Sequence, residues 1–389
     1  MTDWQTRFEW LACPRIIFGP GELARLGELA AAFGGHAMLV TMADIPHVGR
    51  AADTLRSAGL ELSVFDRCTP DPLAQTVDEL AEELRLRGCD VLVALGGGSA
   101  MDTAKAASVL ATNDGPAWEY TIEFRGPRRE PKNAPLPVVA VPTTHGTGSE
   151  VNGIAVLSNA ETRQKGPLRC AMMIPKVALL DPELTLTLPE RQTRATAFDA
   201  LTHAFERFFA EPAHPWVDCM AAHCIGTVVD TLPRLLSEPQ NVGARAALLW
   251  TAAEAALCVC ASLGEAGLHI FALAVAATLG SIHGESLAAM MPVVLGHLIE
   301  ERPHKAAWFA HLLGADTAGL SVEQAAQRAL PAMVEWMERV GMRLTLRDLG
   351  AREEHISQMA QSVNMARLRE RYCKKLSEEQ VAEVFRAAL

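Results

Sequence analysis

Asp199 and His203 stand four residues apart inside Ala195–Glu206 (ATAFDALTHAFE), a run of strong helix formers. On a helix this spacing puts both side chains on one face with Cβ atoms about 6 Å apart, near enough to form a surface ion pair or to share one metal ion. Two more imidazoles, His269 and His283, lie 14 residues apart. A straight helix would separate them by about 21 Å. They converge only if that helix stops and the chain turns back; Gly280 is a natural stop, and about four extended residues then span roughly 13 Å. His269 sits between Leu268 and Ile270-Phe271, so a hydrogen-bonded core histidine is the alternative to a metal ligand.

The first half carries another chemistry. Asp90–Leu95 (DVLVAL) leads directly into Gly96-Gly97-Gly98-Ser99. Glycines after a buried strand let a ligand approach the backbone, Ser99 can cap the following helix, and the amides of that helix end attract a diphosphate. The pattern is neither Gly-x-Gly-x-x-Gly nor the nucleoside-triphosphate loop, and a plain strand-to-helix turn is its alternative. A second loop, Pro142–Glu150 (PTTHGTGSE), follows another strand and concentrates hydroxyls and glycines, a composition suited to ribose and phosphate oxygens. Two such loops at the carboxyl ends of parallel strands would flank one crevice and hold a dinucleotide. The first strand is followed by Thr41-Met42-Ala43-Asp44, with Met42 where an acid would bind the adenosine ribose; NAD and NADP both stay open.

Loops of this kind need strands joined by helical crossovers. Strands are expected at His36–Met42, Leu60–Phe65, Asp90–Leu95 and Leu136–Pro142, and helices at Pro46–Ser57, Pro72–Arg87 and from Ser99 to Leu110. That alternation predicts a parallel sheet covered on both faces. From Glu190 onward Ala- and Leu-rich helical segments take over, broken at Glu211–Pro215, Glu238–Gly243 and Glu301–His304. We therefore expect an α/β dinucleotide-binding domain over 1–188 and an all-α metal-binding domain over 189–389.

The 389-residue chain is 49% hydrophobic, enough for two cores. Its 35 basic against 46 acidic side chains leave a net charge of −11, which disfavours nucleic acid and anionic membrane surfaces as partners. No run approaches the roughly 20 apolar residues of a membrane span. Met1-Thr2-Asp3-Trp4 lacks the basic start of a signal peptide, and a cytoplasmic protein without a membrane partner is expected. Nine cysteines, an odd number with no Cys-x-x-Cys, argue against a disulfide framework and a thiolate zinc site and for buried free thiols.

Taken in order, Gly19-Pro20-Gly21, Gly96–Lys105 (GGGSAMDTAK), Pro142–Val151 (PTTHGTGSEV), Asp181–Pro189 (DPELTLTLP), Phe198–Phe205 (FDALTHAF) and His283-Gly284 resemble the motifs of the iron-containing, group III alcohol dehydrogenases. The likeness covers essentially the whole chain. It implies a Rossmann-like N-terminal domain and a helical C-terminal domain in a dehydroquinate synthase-like architecture. It implies one divalent ion, Fe²⁺ or Zn²⁺, held by Asp199, His203, His269 and His283. Contacts to NAD or NADP are implied from Gly97, Gly98, Ser99, Asp102, Thr143, Thr144, Thr147, Ser149 and Lys165. The implied reaction is hydride transfer between a small alcohol or aldehyde and nicotinamide, and the implied assembly is a homodimer.

Three positions depart from the family pattern. Leu273 replaces a histidine one turn after the third ligand, His145 an alanine of the second loop, and Asp71 the asparagine of a Pro-Asn-Pro segment. With Leu273 in that place, His145 and Lys165 are the candidates for catalytic work, His145 as proton carrier. Arg125, Arg128, Arg129, Lys165 and Arg169 leave a polar or anionic substrate open beside the reading of a solvated loop. The rivals are a glycerol-dehydrogenase-like zinc enzyme with one Asp and two His, and a non-catalytic nucleotide- or metal-binding regulator.

Overall fold

The computed structural model describes residues 14–162, 164–211, 213–259 and 266–389; the acidic start, Cys13 and Cys260 lie outside the described residues. By packing, the described chain forms two units. One joins the residues up to Leu188 with Gln240–Ala253; the other joins Pro189–Pro239 with Glu254–Leu389.

In the first unit the described strands are β1 (Arg15–Phe18), β2 (His36–Val40), β3 (Glu61–Phe65), β4 (Val91–Gly96), β5 (Val138–Pro142), β6 (Ile154–Asn159), β7 (Gln164–Arg169) and β8 (Val177–Leu180). Six of them form one parallel sheet in the order β1-β8-β5-β4-β2-β3. Helices α1 (Leu26–Ala31), α2 (Val48–Ser57), α3 (Ala74–Arg87) and α4 (Gly98–Leu110) join the strands. Side chains alternate along β4: Leu92 and Ala94 enter one core, and Val91, Val93 and Leu95 the core on the other face. A strand buried on both faces reads as an unbroken apolar run, which is why it was legible. The strand order reverses between β2 and β4, the point where open α/β sheets leave a crevice at their carboxyl ends.

β6 and β7 form an antiparallel hairpin that places Ser158 opposite Lys165. Strand signals miss it because β7, Gln-Lys-Gly-Pro-Leu-Arg, contains glycine and proline. Asp181, just after β8, accepts the N–H groups of Gly21 and Leu23 at 3.1 and 3.0 Å. This bond set accounts for the pairing of the Gly19-Pro20-Gly21 and Asp181–Pro189 motifs. It locks the loop after β1, where Gly21 has φ 79°, to the loop after β8.

The second unit is helical, with α5 (Glu190–Phe208), α6 (Pro215–Ser237), the end of α7 (Val242–Val259), α8 (Leu268–Leu279), α9 (His283–Glu301) and shorter helices between Pro303 and Ala387. α5 packs on α6 and α9, and α8 on α9. Gly280, at φ 64°, ends α8, and α9 begins at His283 after Ile282. In the first turn of α9, a Cβ on Gly284 would stand 2.0 Å from the Ala195 carbonyl oxygen. Only glycine admits α9 this close to α5, one turn ahead of Asp199.

Of the described helices, α7 alone is long and apolar enough to cross a membrane by length and composition, and 61% of it is buried inside the fold. None of the seven described cysteines is in a disulfide. Cys68, Cys89, Cys224 and Cys258 are buried, but Cys219 is exposed and Cys170 and Cys373 are partly so. Uniformly buried thiols are therefore not what the fold contains.

Candidate functional site

Asp199 is the centre of the helical unit's polar cluster. Its Oδ1 lies 3.8 Å from His203 Nδ1, 3.5 Å from His269 Nε2 and 3.8 Å from His283 Nε2. The His203 and His269 rings stack with centroids 4.7 Å apart, and His269 and His283 stand 5.2 Å apart. α5 supplies Asp199 and His203 four residues apart, as the local spacing requires. The stop at Gly280 and the tight packing of Gly284 bring the other two histidines to them.

A fifth side chain completes the cluster. Glu206, seven residues after Asp199 on α5, accepts a hydrogen bond from His269 Nδ1 at 2.7 Å and another from the His269 backbone N–H at 3.2 Å. The sequence signal was present, since positions i, i+4 and i+7 share a helix face. Its partner 63 residues away was not readable.

Asp199 Oδ1 and His269 Nε2 are both buried without a hydrogen-bond partner among the described residues. Leaving such atoms unsatisfied is costly. Ligands sharing one ion at bonds of about 2.0–2.2 Å stand roughly 3–3.5 Å from each other, close to the separations here, so this donor set fits a divalent cation. Burial opposes the charge on Asp199, yet the three histidines hold its carboxyl below the ordinary range. Burial likewise opposes protonation of His269, but Glu206 and Asp199 outweigh it and pull the imidazole up to about 10. A cation bound here therefore displaces protons as it enters.

In the first unit the glycine turn after β4 and the hydroxyl-rich loop after β5 touch. A Cβ on Gly97 would lie 3.1 Å from Thr144 Cγ2, and one on Gly98 only 2.6 Å from Thr147 Cγ2. α4 starts at Gly98 with Gly97 as its cap residue and no side-chain cap bond. Ser99 thus lies within the first turn and does not cap the helix, because the helix begins one residue earlier than the Ser-cap reading requires. Thr143 N–H bonds to the Gly96 carbonyl at 2.9 Å. Asp102 is occupied by the protein: one oxygen accepts the Ser149 hydroxyl, the other the Val156 N–H at 2.9 Å. Lys105, fully buried, donates to the carbonyls of Ser149, Asn152 and Ile154, fastening the second loop to α4.

His145 is fully buried. Burial, with Arg245 adding to it, holds its imidazole down to about 3, where it does not take up a proton near neutrality. Lys165 Nζ pairs with Asp71 at 2.6 Å; Asp71 itself adopts the left-handed region, φ 56°. Arg128 pairs with Glu130 and Arg129 with Glu119. Leu273, one helical turn after His269, is half-buried.

The chain matches the iron-containing alcohol dehydrogenase family over residues 13–182 and the C-terminal part of the Fe-containing alcohol dehydrogenase family over residues 193–389. It is 32% identical over 354 residues to an NAD-dependent methanol dehydrogenase of Bacillus methanolicus, covering 90% of this chain and 91% of that one. It is 31% identical over 389 residues to a 1,3-propanediol dehydrogenase of Klebsiella pneumoniae, covering 98% of each. Its fold matches that of an archaeal halo-thermophilic alcohol dehydrogenase from a Red Sea brine pool, ADH/D1, at 30% identity and a TM-score of 0.93 over 100% of both chains. The chain therefore belongs to the iron-containing alcohol dehydrogenases, and it is an oxidoreductase acting on CH–OH groups with a nicotinamide cofactor.

Proposed function

We propose that Asp199, His203, His269 and His283 hold one divalent cation, and that NAD on the loops after β4 and β5 exchanges hydride with a small uncharged alcohol or aldehyde. The convergence of three imidazoles on one buried Asp199 oxygen carries this reading. One carboxylate with three imidazoles suits Fe²⁺ and Zn²⁺ alike; the family likeness favours iron. When bound, the cation is a Lewis acid that lowers the alcohol's pKa or polarises the carbonyl.

Glu206 Oε2 keeps the proton on His269 Nδ1, which leaves the Nε2 lone pair on the Asp199 side. Gly97 and Gly98 allow close approach of the diphosphate to the start of α4, whose amides attract it. Ser99, Thr143, Thr144 and Thr147 offer hydroxyls, while Asp102 and Ser149 hold the loops in register through their mutual bond. Lys165, drawn by Asp71 toward the turn after β3, is the cation proposed to reach the nucleotide. NAD is favoured over NADP because Arg67, bridged to Met42 two residues past β2, is already engaged by Glu83 and by the face of Phe65 at 4.3 Å. An uncharged substrate is favoured because Arg128 and Arg129 answer to Glu130 and Glu119. A cytoplasmic homodimer goes with this reading, its assembly open to light scattering.

Metal analysis paired with a cofactor screen tests it. One ion per chain and reduction of NAD⁺ rather than NADP⁺ by small primary alcohols are expected, both abolished by His269→Ala. Unchanged turnover in that variant would sink the four-ligand site in favour of a zinc enzyme with fewer ligands. A full metal load without turnover on any alcohol or aldehyde would indicate a binding protein instead.

A further inference from the structure

A second group of ligand-type side chains, sharing no residue with the Asp199 cluster, converges in the helical unit. His223 and Cys224 on α6 meet Glu254 near the end of α7. Their imidazole nitrogen, thiol sulfur and carboxylate oxygen all lie within 4.8 Å of one another. His223 Nδ1 is already 3.1 Å from Glu254 Oε2. Three ligands of one tetrahedral zinc, at bonds of about 2.0–2.3 Å, stand roughly 3.3–3.8 Å apart. The His223–Glu254 separation already falls near this spacing, and binding would draw the Cys224 sulfur, within 4.8 Å of both, closer to them.

Burial separates this group from an ordinary surface ion pair. Cys224 is fully buried, Glu254 exposes 13% of its side chain, and His223 exposes 61%. An exposed His–Glu pair leaves its carboxylate in water; here the carboxylate is turned in toward a buried thiol. The cluster is closed on the helix side and open to solvent past His223. Cys258, one turn beyond Glu254 on α7, is buried as well. Sulfur, nitrogen and oxygen donors together select a borderline-soft cation, in contrast to the carboxylate-and-imidazole set around Asp199.

We propose that His223, Cys224 and Glu254 form a second metal site, which takes one borderline divalent cation of the Zn²⁺ class, keeps one position open to solvent, and ties α6 to the end of α7. On binding, the metal–sulfur bond forms as the Cys224 thiol proton leaves to water, with no change of oxidation state.

Cobalt(II) is the probe, added to holoenzyme that already carries its ion at Asp199 and has been stripped of excess metal. A thiolate-to-cobalt charge-transfer band is diagnostic, because the Asp199 cluster contains no sulfur. The band should saturate at one equivalent, vanish in Cys224→Ala, and require about tenfold or more cobalt in His223→Ala and Glu254→Gln. His223 is exposed enough for its replacement to leave folding intact, so that variant decides the question even if Cys224→Ala fails to fold. Absence of the band, or a band indifferent to His223→Ala, would overturn the proposal and assign any cobalt uptake to other thiols such as the exposed Cys219.

Discussion

Glu206 acts on His269 through both a hydrogen bond and a negative charge, and substitution separates the two. Glu206→Gln keeps an acceptor beside His269 Nδ1 but removes the charge that strengthens the imidazole as a donor. Metal affinity should fall by about 10–100-fold, read as ion content after dialysis against a graded chelator; full retention would mean that the charge is idle. A second carboxyl gives a pH signature. Burial pushes Glu150 up to about 7, so between its ordinary range and that value the native protein keeps a proton that the unfolded chain releases. Its contribution to stability is therefore complete at acid pH and lost as pH rises through 7. Glu150→Gln should be more stable than the parent at pH 8, by up to about 3 kcal/mol, and nearly equal to it at pH 4. Identical unfolding shifts at both pH values would rule this out. Residues were legible in the sequence where one helix sets their distance, as for Asp199 with His203. His223, Cys224 and Glu254 belong to two helices, so no local spacing announces them, and a search for Cys-x-x-Cys passes over them.

At the scale of elements, the site depends on how closely α9 can approach α5. A methyl group on Gly284 would collide with the backbone of Ala195 at 2.0 Å, and a carbonyl cannot rotate aside as a side chain would. Gly284→Ala should cost about 1–3 kcal/mol and carry His283 away from Asp199. Thermal unfolding and metal content should fall together; a variant with parental metal content would show that the helices shift without disturbing the ligands. The turn at Gly280 was readable because a left-handed helix end calls for glycine, and the strand-loop-helix around Gly96–Gly98 because β4 is buried along its whole length. The β6–β7 hairpin was not readable. Its strands are held by pairing to each other and by the Asp102–Val156 bond, while Gly166 and Pro167 blur the alternation that marks a strand.

For the whole molecule, the length suffices for more than one core, and the change from alternating to purely helical patterning falls just ahead of Asp199 and His203 on α5. What linear reading could not reveal is that α7 serves both units, with Gln240–Ala253 packed in the first and the rest of the helix in the second. Arg245, fully buried, lies beside His145, and Trp250 meets Phe18 edge-on at 5.4 Å. A chimera of two relatives joined once at residue 188 would therefore mate these residues with a foreign sheet. It should melt lower than either parent, whereas one that exchanges 1–188 and 240–253 together should melt close to them; equal melting of both chimeras would contradict this. Recombination within the family thus has to respect an interleaved inheritance, in which a short passenger encoded far downstream must travel with the sheet-bearing half.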